Sequence, residues 1–477
     1  MVAATKQDAV VSTNGHNGSH GASAAAPPHD VNASAREHVW VHFASHSEFD
    51  EDRPHVWDRG VGSKLYDVYG KEYIDGISGL WVVNAGHGRT EIAEAMAKQA
   101  SRLGYASAMN YTTRPAAELA EVIAEITPGD LNRVFFATGG SDAVESAIKI
   151  AKQVQAMRGF GRRYKIIARR GSYHGQTFGA MSLTHSKNEH WFGPFMYGVS
   201  HVPHPNRYRS DFGLEGEAAD IMAAKYVEQE IENQGPDTVA AVIGEPISSA
   251  AGVHVPSPKY WQMLREICDK HGVLLIADEV INGYGRTGTM FATEQFGFVP
   301  DIMTMAKGIS SGYAPISAAV VRDAVYEIFK EQPDKAFGHL LTFGGHPVSA
   351  AAAIKNIEIL REERLPERAK EMGVYLMSRL EELRAHPTVG DVRGLGLLTA
   401  IDLVSSKETK ARFAKDSKFT KRLGDLVINN GFVTRVWDTM HFAPPLVVEK
   451  EEIDRMVEIA DQALTVVERE FADEIQA

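Results

Sequence analysis

From about residue 130 the sequence alternates short apolar runs with segments of helical periodicity, and no other feature narrows the possible fold as much. The runs cover residues 134–137, 165–168, 240–244, 272–277, 302–306 and 317–321. Several are apolar on both faces. A strand that is wet on one side alternates polar and apolar residues, whereas a strand of a parallel sheet is covered by helices on both sides and reads as an unbroken apolar run. The middle of the chain is therefore expected to be one large α/β domain built on a mostly parallel sheet.

Two flanking regions read differently. Residues 64–75 alternate and turn at Tyr69-Gly70, the pattern of a hairpin. From Pro347 onward an Ala-rich helix is followed by strand-like stretches at 391–403 and 432–448. Together the two regions suggest a smaller α+β domain made from both chain ends, with segments 35–78 and 346–477 flanking a large domain at 79–345. The first thirty residues contain no Leu, Ile, Arg or aromatic residue and bury too little to offset their ordering entropy, so residues 1–34 are expected to be a disordered tail. Its histidines, His16, His20 and His29, have no fixed geometry for a metal and are read as solvated; no metal site is expected. The tail has neither the apolar core of a signal peptide nor the Arg-rich pattern of a presequence.

Lysine plus arginine number 50 and aspartate plus glutamate 62, a net charge of −12, which is the wrong sign for a chain that binds nucleic acid or anionic membrane by charge. A membrane-spanning helix needs about 20 consecutive apolar residues, and no stretch approaches that. The single cysteine, Cys268, lies in a helical pattern with Trp261 and Leu264 and is read as a buried thiol. One unpaired cysteine suits a reducing compartment, and a cytoplasmic location is expected.

Three segments at predicted strand ends carry chemistry. In Ala137-Thr138-Gly139-Gly140-Ser141-Asp142 an apolar strand runs through two glycines into a helix. Free amides and the helix dipole there favour a phosphate or carboxylate; a plain turn capped by Ser141 or Asp142 is the alternative. Ala277-Asp278-Glu279-Val280 puts two carboxylates at the carboxyl end of a buried strand, where open α/β sheets bind ligands. A nucleotide-hydrolase reading of that strand fails, because no Gly-x-x-x-x-Gly-Lys-[Ser/Thr] string exists in the chain. Met305-Ala306-Lys307-Gly308 places a lysine at the end of another apolar strand, either snorkelling to water or held dry as a nucleophile. An amine, an acid and an anion site are the three parts that pyridoxal 5'-phosphate requires, for its aldehyde, ring nitrogen and phosphate.

The order Gly139-Gly140-Ser141, Ser172-Tyr173-His174-Gly175, Asp278-Glu279-Val280, Lys307-Gly308 and Thr342-Phe343-Gly344-Gly345-His346-Pro347 resembles the class III pyridoxal-phosphate aminotransferases of fold type I, from about residue 35 onward. The resemblance implies that Lys307 is the Schiff-base lysine and Asp278 the partner of the pyridine nitrogen. It implies further that Gly140 and Ser141 bind the phosphate, Tyr173 and Val280 cover the two ring faces, Glu245 belongs to the cofactor site, and Thr342 reaches the phosphate of a neighbouring subunit's cofactor. A homodimer or higher homo-oligomer with shared active sites follows from that last role.

Within the family, Ala250 stands where the ornithine and 4-aminobutyrate branch has a glutamate paired to its substrate arginine, and Ile281 replaces a glutamine. These departures, with Gly345-His346-Pro347, resemble the ω-amino acid or amine:pyruvate branch. Its pocket arginine matches Arg435, ahead of Pro444-Pro445, and its gate tryptophan matches Trp81. Tyr173, Met109, Trp437 and Phe43 complete the expected substrate pocket. Without the glutamate, Arg435 is expected to lack a partner when an uncharged amine is bound, and so to turn out toward solvent and return to pair with a keto-acid carboxylate. The implied reaction transfers an amino group from a primary amine or ω-amino acid to an α-keto acid, pyruvate above all, by a ping-pong route through pyridoxamine phosphate. The rivals are an aminomutase, racemase or decarboxylase on the same fold, and a non-catalytic cofactor-binding regulator.

Overall fold

In the computed structural model, which describes residues 30–49, 55–185, 189–332 and 334–476, the chain divides into two units, Met1–Trp57 and Asp58–Ala477. The first contains a helix at Val31–His38, whose start is capped by the Asp30 carboxylate accepting from the Ala33 amide at 3.0 Å. Residues 31–34, expected within the tail, are therefore helical. Residues 1–29, His16, His20 and His29 among them, lie outside the described residues.

From β1 (Trp57–Val61), which starts at the last residue of the first unit, the chain continues into β2 (Lys64–Asp67) and β3 (Glu72–Asp75). β2 and β3 form the expected hairpin, with Lys64 opposite Ile74. The chain then builds a seven-stranded sheet from β4 (Leu131–Ala137), β5 (Lys165–Arg169), β6 (Val199–Val202), β7 (Val239–Gly244), β8 (Leu274–Asp278), β9 (Ile302–Met305) and β10 (Ser317–Arg322), in the order β4-β10-β9-β8-β7-β5-β6. The six apolar runs read from the sequence are six of these strands. β6 was not foreseen, since Val-Ser-His-Val is short and polar at its centre.

One orientation differs from expectation. β10 runs antiparallel to both β4 and β9, while β9, β8, β7, β5 and β6 are mutually parallel. The cause is the connection: residues 306–316 hold only a 3-10 turn at Lys307–Ile309, too short for the helical crossover that a parallel return needs.

The sheet is dry on both faces because successive residues of its strands enter different cores. Ile166, Ile243 and Ile276 pack with Val144, Ile148 and Ala151 of the helix Gly140–Met157. Their neighbours Ile167, Val242 and Leu275 pack with Val227, Ile231, Trp261 and Leu264 of the helices Gly216–Gln234 and Pro258–His271. This is the physical content of the two-sided apolar runs.

After the Ala-rich helix Pro347–Glu362, β11 (Val389–Leu395), β12 (Leu398–Leu403) and β14 (Thr439–Phe442) form a three-stranded antiparallel sheet. β13 (Phe432–Val433) instead joins β3 in parallel, so early and late parts of the chain share one small sheet. Among the described residues no helix is long and apolar enough to cross a membrane. The architecture is that of fold type I: a large, mostly parallel sheet between helices, with smaller sheets drawn from both sides of the sequence.

Cys268 is fully buried on the helix Pro258–His271, and burial pushes its thiol up to about 12. Native protein at pH 8 is expected to leave this thiol unlabelled by a disulfide reagent such as DTNB, with one equivalent released on unfolding. Rapid labelling of the native protein would show the helix to be open.

Candidate active site

Five strands that point the same way, β4, β5, β7, β8 and β9, bring their carboxyl ends to one edge of the sheet, and the predicted residues gather there. Asp278 ends β8 opposite Thr304 of β9. Its Oδ1 accepts from the Thr304 hydroxyl and the Val280 amide, each at 3.1 Å, and its Oδ2 from His174 Nδ1 at 2.7 Å. The carboxylate thus fixes the tautomer of His174, with the proton on Nδ1. His174 Nε2 is buried and has no partner among the described residues.

Lys307 follows β9 by two residues. It takes a φ of 48°, a left-handed conformation that side-chain-bearing residues avoid, at the start of the 3-10 turn Lys307–Ile309. Its neighbour must be glycine, since a Cβ at Gly308 would stand 2.5 Å from Asn84 Nδ2 and 2.9 Å from Tyr284 Cβ. Lys307 Nζ has no hydrogen bond or ion pair among the described residues and lies 5.3 Å from the centre of the Trp81 ring. Burial brings its pKa down from 10.5 to about 8; Asp278 and Glu245 oppose the shift, and Arg286 and Arg435 add to it. Near neutral pH a usable fraction of this amine is uncharged.

At the end of β4, the Asp142 carboxylate bonds the Thr138 hydroxyl and accepts from the Gly139 amide at 3.2 Å. Asp142 is thus the cap, and it leaves the amides of Gly140 and Ser141 without an acceptor among the described residues. Gly140 is pressed against the other two strand ends: a Cβ there would meet Val280 Cγ1 at 3.0 Å and Ala306 Cβ at 3.8 Å. Ser141 Oγ accepts from the Gln176 amide at 3.0 Å, and a side chain at Gly175 would run into it. The Tyr173 amide donates to Glu245 Oε1 at 2.7 Å and the Ser249 amide to Oε2 at 3.1 Å, so buried Glu245 braces the loop that carries Tyr173. Burial pushes the Glu245 carboxyl up, with His174 and Arg169 pulling against it. An amine of lowered pKa, a buried acid and a pair of free helix-start amides therefore share one sheet edge.

A family model described as aminotransferase class-III matches residues 47–464. The chain belongs to the class-III aminotransferases. It is 37% identical over 436 residues to a putrescine–pyruvate aminotransferase of Pseudomonas aeruginosa, covering 91% of this chain and 95% of that one. It is 38% identical over 450 residues to a taurine–pyruvate aminotransferase of Bilophila wadsworthia, covering 91% and 97%. A solved (S)-enantioselective omega-transaminase from Thermomicrobium roseum superposes with a TM-score of 0.88 at 38% identity, over 92% of this chain and 98% of that one.

In this aminotransferase the other predicted site residues fall into two sets, with Phe43 apart from both. Trp81 is buried, with the Arg435 guanidinium 5.3 Å from its ring centre and His441 edge-on at 5.4 Å. Arg435 also lies over Trp437, at 4.1 Å. Where the other branch has a glutamate side chain, Arg435 has a main-chain partner: its Nη2 donates to the carbonyl of Ala250 itself at 2.6 Å. Its Nε remains buried and without an acceptor among the described residues, and burial lowers its pKa to about 10.

Met109 and Thr342 form the second set, on two exposed loops joined by the Tyr105 hydroxyl donating to the Thr342 carbonyl at 3.0 Å. No hydrogen bond, ion pair or ring contact among the described residues links them to Lys307 or Asp278. Phe43 lies in the separate N-terminal unit, in a turn with φ of 55°. His174, Arg286 and Asp75 were given no role from sequence. His174 stands inside a quoted motif, in the loop five residues beyond the end of β5; the other two have no such signal.

The lowered pKa of Lys307 has a direct measure. Trace acetylation of the protein freed of small molecules, read by peptide mass spectrometry, is expected to rise at Lys307 with a midpoint near pH 8. Surface lysines are expected to titrate near 10.4. A midpoint above pH 10 at Lys307 would show that its surroundings do not desolvate it.

Proposed function

We propose that this aminotransferase carries amino groups from primary amines or ω-amino acids to pyruvate, with pyridoxal 5'-phosphate held at the carboxyl edge of the large sheet. The observation that carries the reading is the junction at Gly140, whose Cα lies so close to Val280 and Ala306 that a side chain there would touch both, and these residues stand two positions after Asp278 and one before Lys307. Residues and cofactor fit: an anion cradle for phosphate, an acid for the ring nitrogen, and an uncharged amine for the aldehyde. When bound, the cofactor supplies an electron sink for the carbanion formed at the donor carbon.

The chain's own residues do the rest. Gly140 and Ser141 hold the phosphate, and Tyr173 and Val280 flank the ring. Asp278, itself held by His174 and Thr304, keeps the ring nitrogen protonated. Lys307 Nζ would hold the cofactor covalently between turnovers and, once the donor amine has displaced it, would be free to take the proton from the donor carbon. Trp81 walls the donor side.

Pyruvate as acceptor and amines as donors are supported by the names of the two relatives and by Arg435. Its bond to the Ala250 carbonyl satisfies one edge of the guanidinium with no carboxylate present, while the buried, unpaired Nε offers a donor to an incoming keto acid. The same reading gives a homodimer: Tyr105, Met109, Tyr111, Leu340 and Phe343 are exposed on the two loops that Tyr105 joins at Thr342, apolar side chains that a second copy would cover as it brings Thr342 to the partner's phosphate cradle.

Borohydride reduction of the yellow protein followed by peptide mapping is expected to mark Lys307, and Lys307→Ala to abolish turnover. A mark on another lysine overturns the assignment. A panel of amines, taurine, β-alanine and 4-aminobutyrate with pyruvate and with 2-oxoglutarate is expected to yield alanine above glutamate; product without a keto acid would favour a mutase, racemase or decarboxylase.

Arg435→Ala is expected to weaken the pyruvate half-reaction by about 2–5 kcal/mol, the cost of leaving a buried charged partner unpaired. A monoamine half-reaction should barely change. Stopped-flow spectra of the separate half-reactions decide this, and equal losses in both would place the carboxylate on another residue.

A further inference from the structure

The segment that delivers Trp81 is bent in a way that requires restraint. Ser78, Gly79 and Trp81 have φ of 50°, 68° and 55°, three left-handed residues within four, two of them bearing side chains. Such a backbone persists only where its surroundings over-determine it, and here two buried charged residues do so.

Asp75, the last residue of β3, has no exposed surface. Both of its carboxylate oxygens accept from the Gly79 amide, at 2.9 and 2.8 Å, and Oδ1 also accepts from the Ile77 amide at 3.3 Å. His87 Nε2 meets Oδ2 at 2.8 Å. From the other side the fully buried Arg286 donates from Nη2 to the Ser78 hydroxyl at 2.9 Å and to Asn84 Oδ1 at 2.7 Å. The Ser78 hydroxyl donates in turn to the Ala443 carbonyl at 2.7 Å. The Trp81 amide closes the turn on the Ile77 carbonyl at 2.7 Å. What emerges is an indole ring held with Lys307 Nζ and the Arg435 guanidinium each 5.3 Å from its centre.

We propose that Asp75 is a positioning residue for amine specificity: by gripping the Gly79 amide it fixes the strained turn that aims Trp81 between Lys307 and Arg435, and so sets the width of the donor pocket. This rests on the reading of Trp81 as the wall of that pocket. A charged carboxylate suits the task because it accepts several amide protons at once, which an amide side chain cannot do without turning its own N–H₂ toward a donor.

The test uses the cofactor-loaded enzyme with n-butylamine and 1-phenylethylamine as narrow and broad donors, pyruvate as acceptor, and the ratio of their kcat/KM values as the readout. Trp81→Ala is expected to raise the broad-to-narrow ratio by about tenfold or more, the scale on which pocket size discriminates. Asp75→Asn is expected to move it the same way, raising KM for n-butylamine while leaving KM for pyruvate unchanged. The double variant Asp75→Asn/Trp81→Ala should match Trp81→Ala alone, because the carboxylate acts through the ring.

Gly79→Ala is the second probe. The nearest atom to its added methyl group is Val83 Cγ2 at 3.7 Å, so it strains the backbone without a clash and should widen the pocket as well. A readout free of turnover is the fluorine spectrum of protein labelled with 5-fluorotryptophan. The Trp81 resonance, identified by its loss in Trp81→Ala, should shift in Asp75→Asn while the other tryptophan resonances hold.

An unchanged ratio in folded Asp75→Asn, or effects of the two single variants that multiply in the double, overturns the proposal. Should Asp75→Asn fail to fold, an unchanged ratio in Gly79→Ala overturns it. If Trp81→Ala itself leaves the ratio unchanged, the pocket-wall reading fails first and the inference goes with it.

Discussion

The register between β8 and β9 is the constraint on which the site depends. Asp278 lies opposite Thr304, and the Glu279 amide continues the ladder to the Thr304 carbonyl. That pairing fixes the acid and, three residues further along its neighbour, the amine of Lys307. A slip of one residue would turn every side chain of the strand to the other face and move Asp278 into an apolar core. The register is secure because both faces are buried, so a slipped strand loses apolar contacts on each side. A dry sheet is thus also a precise one, and Gly140 uses that precision to press the anion cradle against residues of the two adjoining strand ends.

Burying an amine, two arginines and an aspartate within one region would be costly if they stood alone. The structure offsets much of this with main-chain dipoles rather than with ion pairs. Arg286 donates to the carbonyls of Leu397 and Pro444, Arg435 to that of Ala250, and Asp75 accepts from amides. Lys307 is the exception. It has no hydrogen-bond partner among the described residues, and burial lowers its pKa despite the opposing pull of Asp278 and Glu245.

This distinction explains what the sequence disclosed. Strands buried on two faces announce themselves as apolar runs, and the motifs at their carboxyl ends were legible because glycine, aspartate and lysine have few reasons to occur there. β6 was hidden by its polar centre, and the antiparallel sense of β10 lay in a connection length whose meaning depends on where the next helix begins. The helical start at Val31 depended on a cap at Asp30, beside a segment whose composition reads as unfolded. The partner of Arg435 could not have been read at all, because a carbonyl oxygen has no letter: every residue has one, and only the folded chain decides which is aimed.

That last contact has a consequence for how such an enzyme changes over time. A side-chain partner can be deleted by one substitution, but the Ala250 carbonyl survives replacement of the residue that bears it. Its loop is pinned a second time where Arg393 donates to the Gly252 carbonyl at 2.8 Å. Mutational drift at position 250 can therefore reshape the space in front of the guanidinium while the guanidinium's resting place stays put.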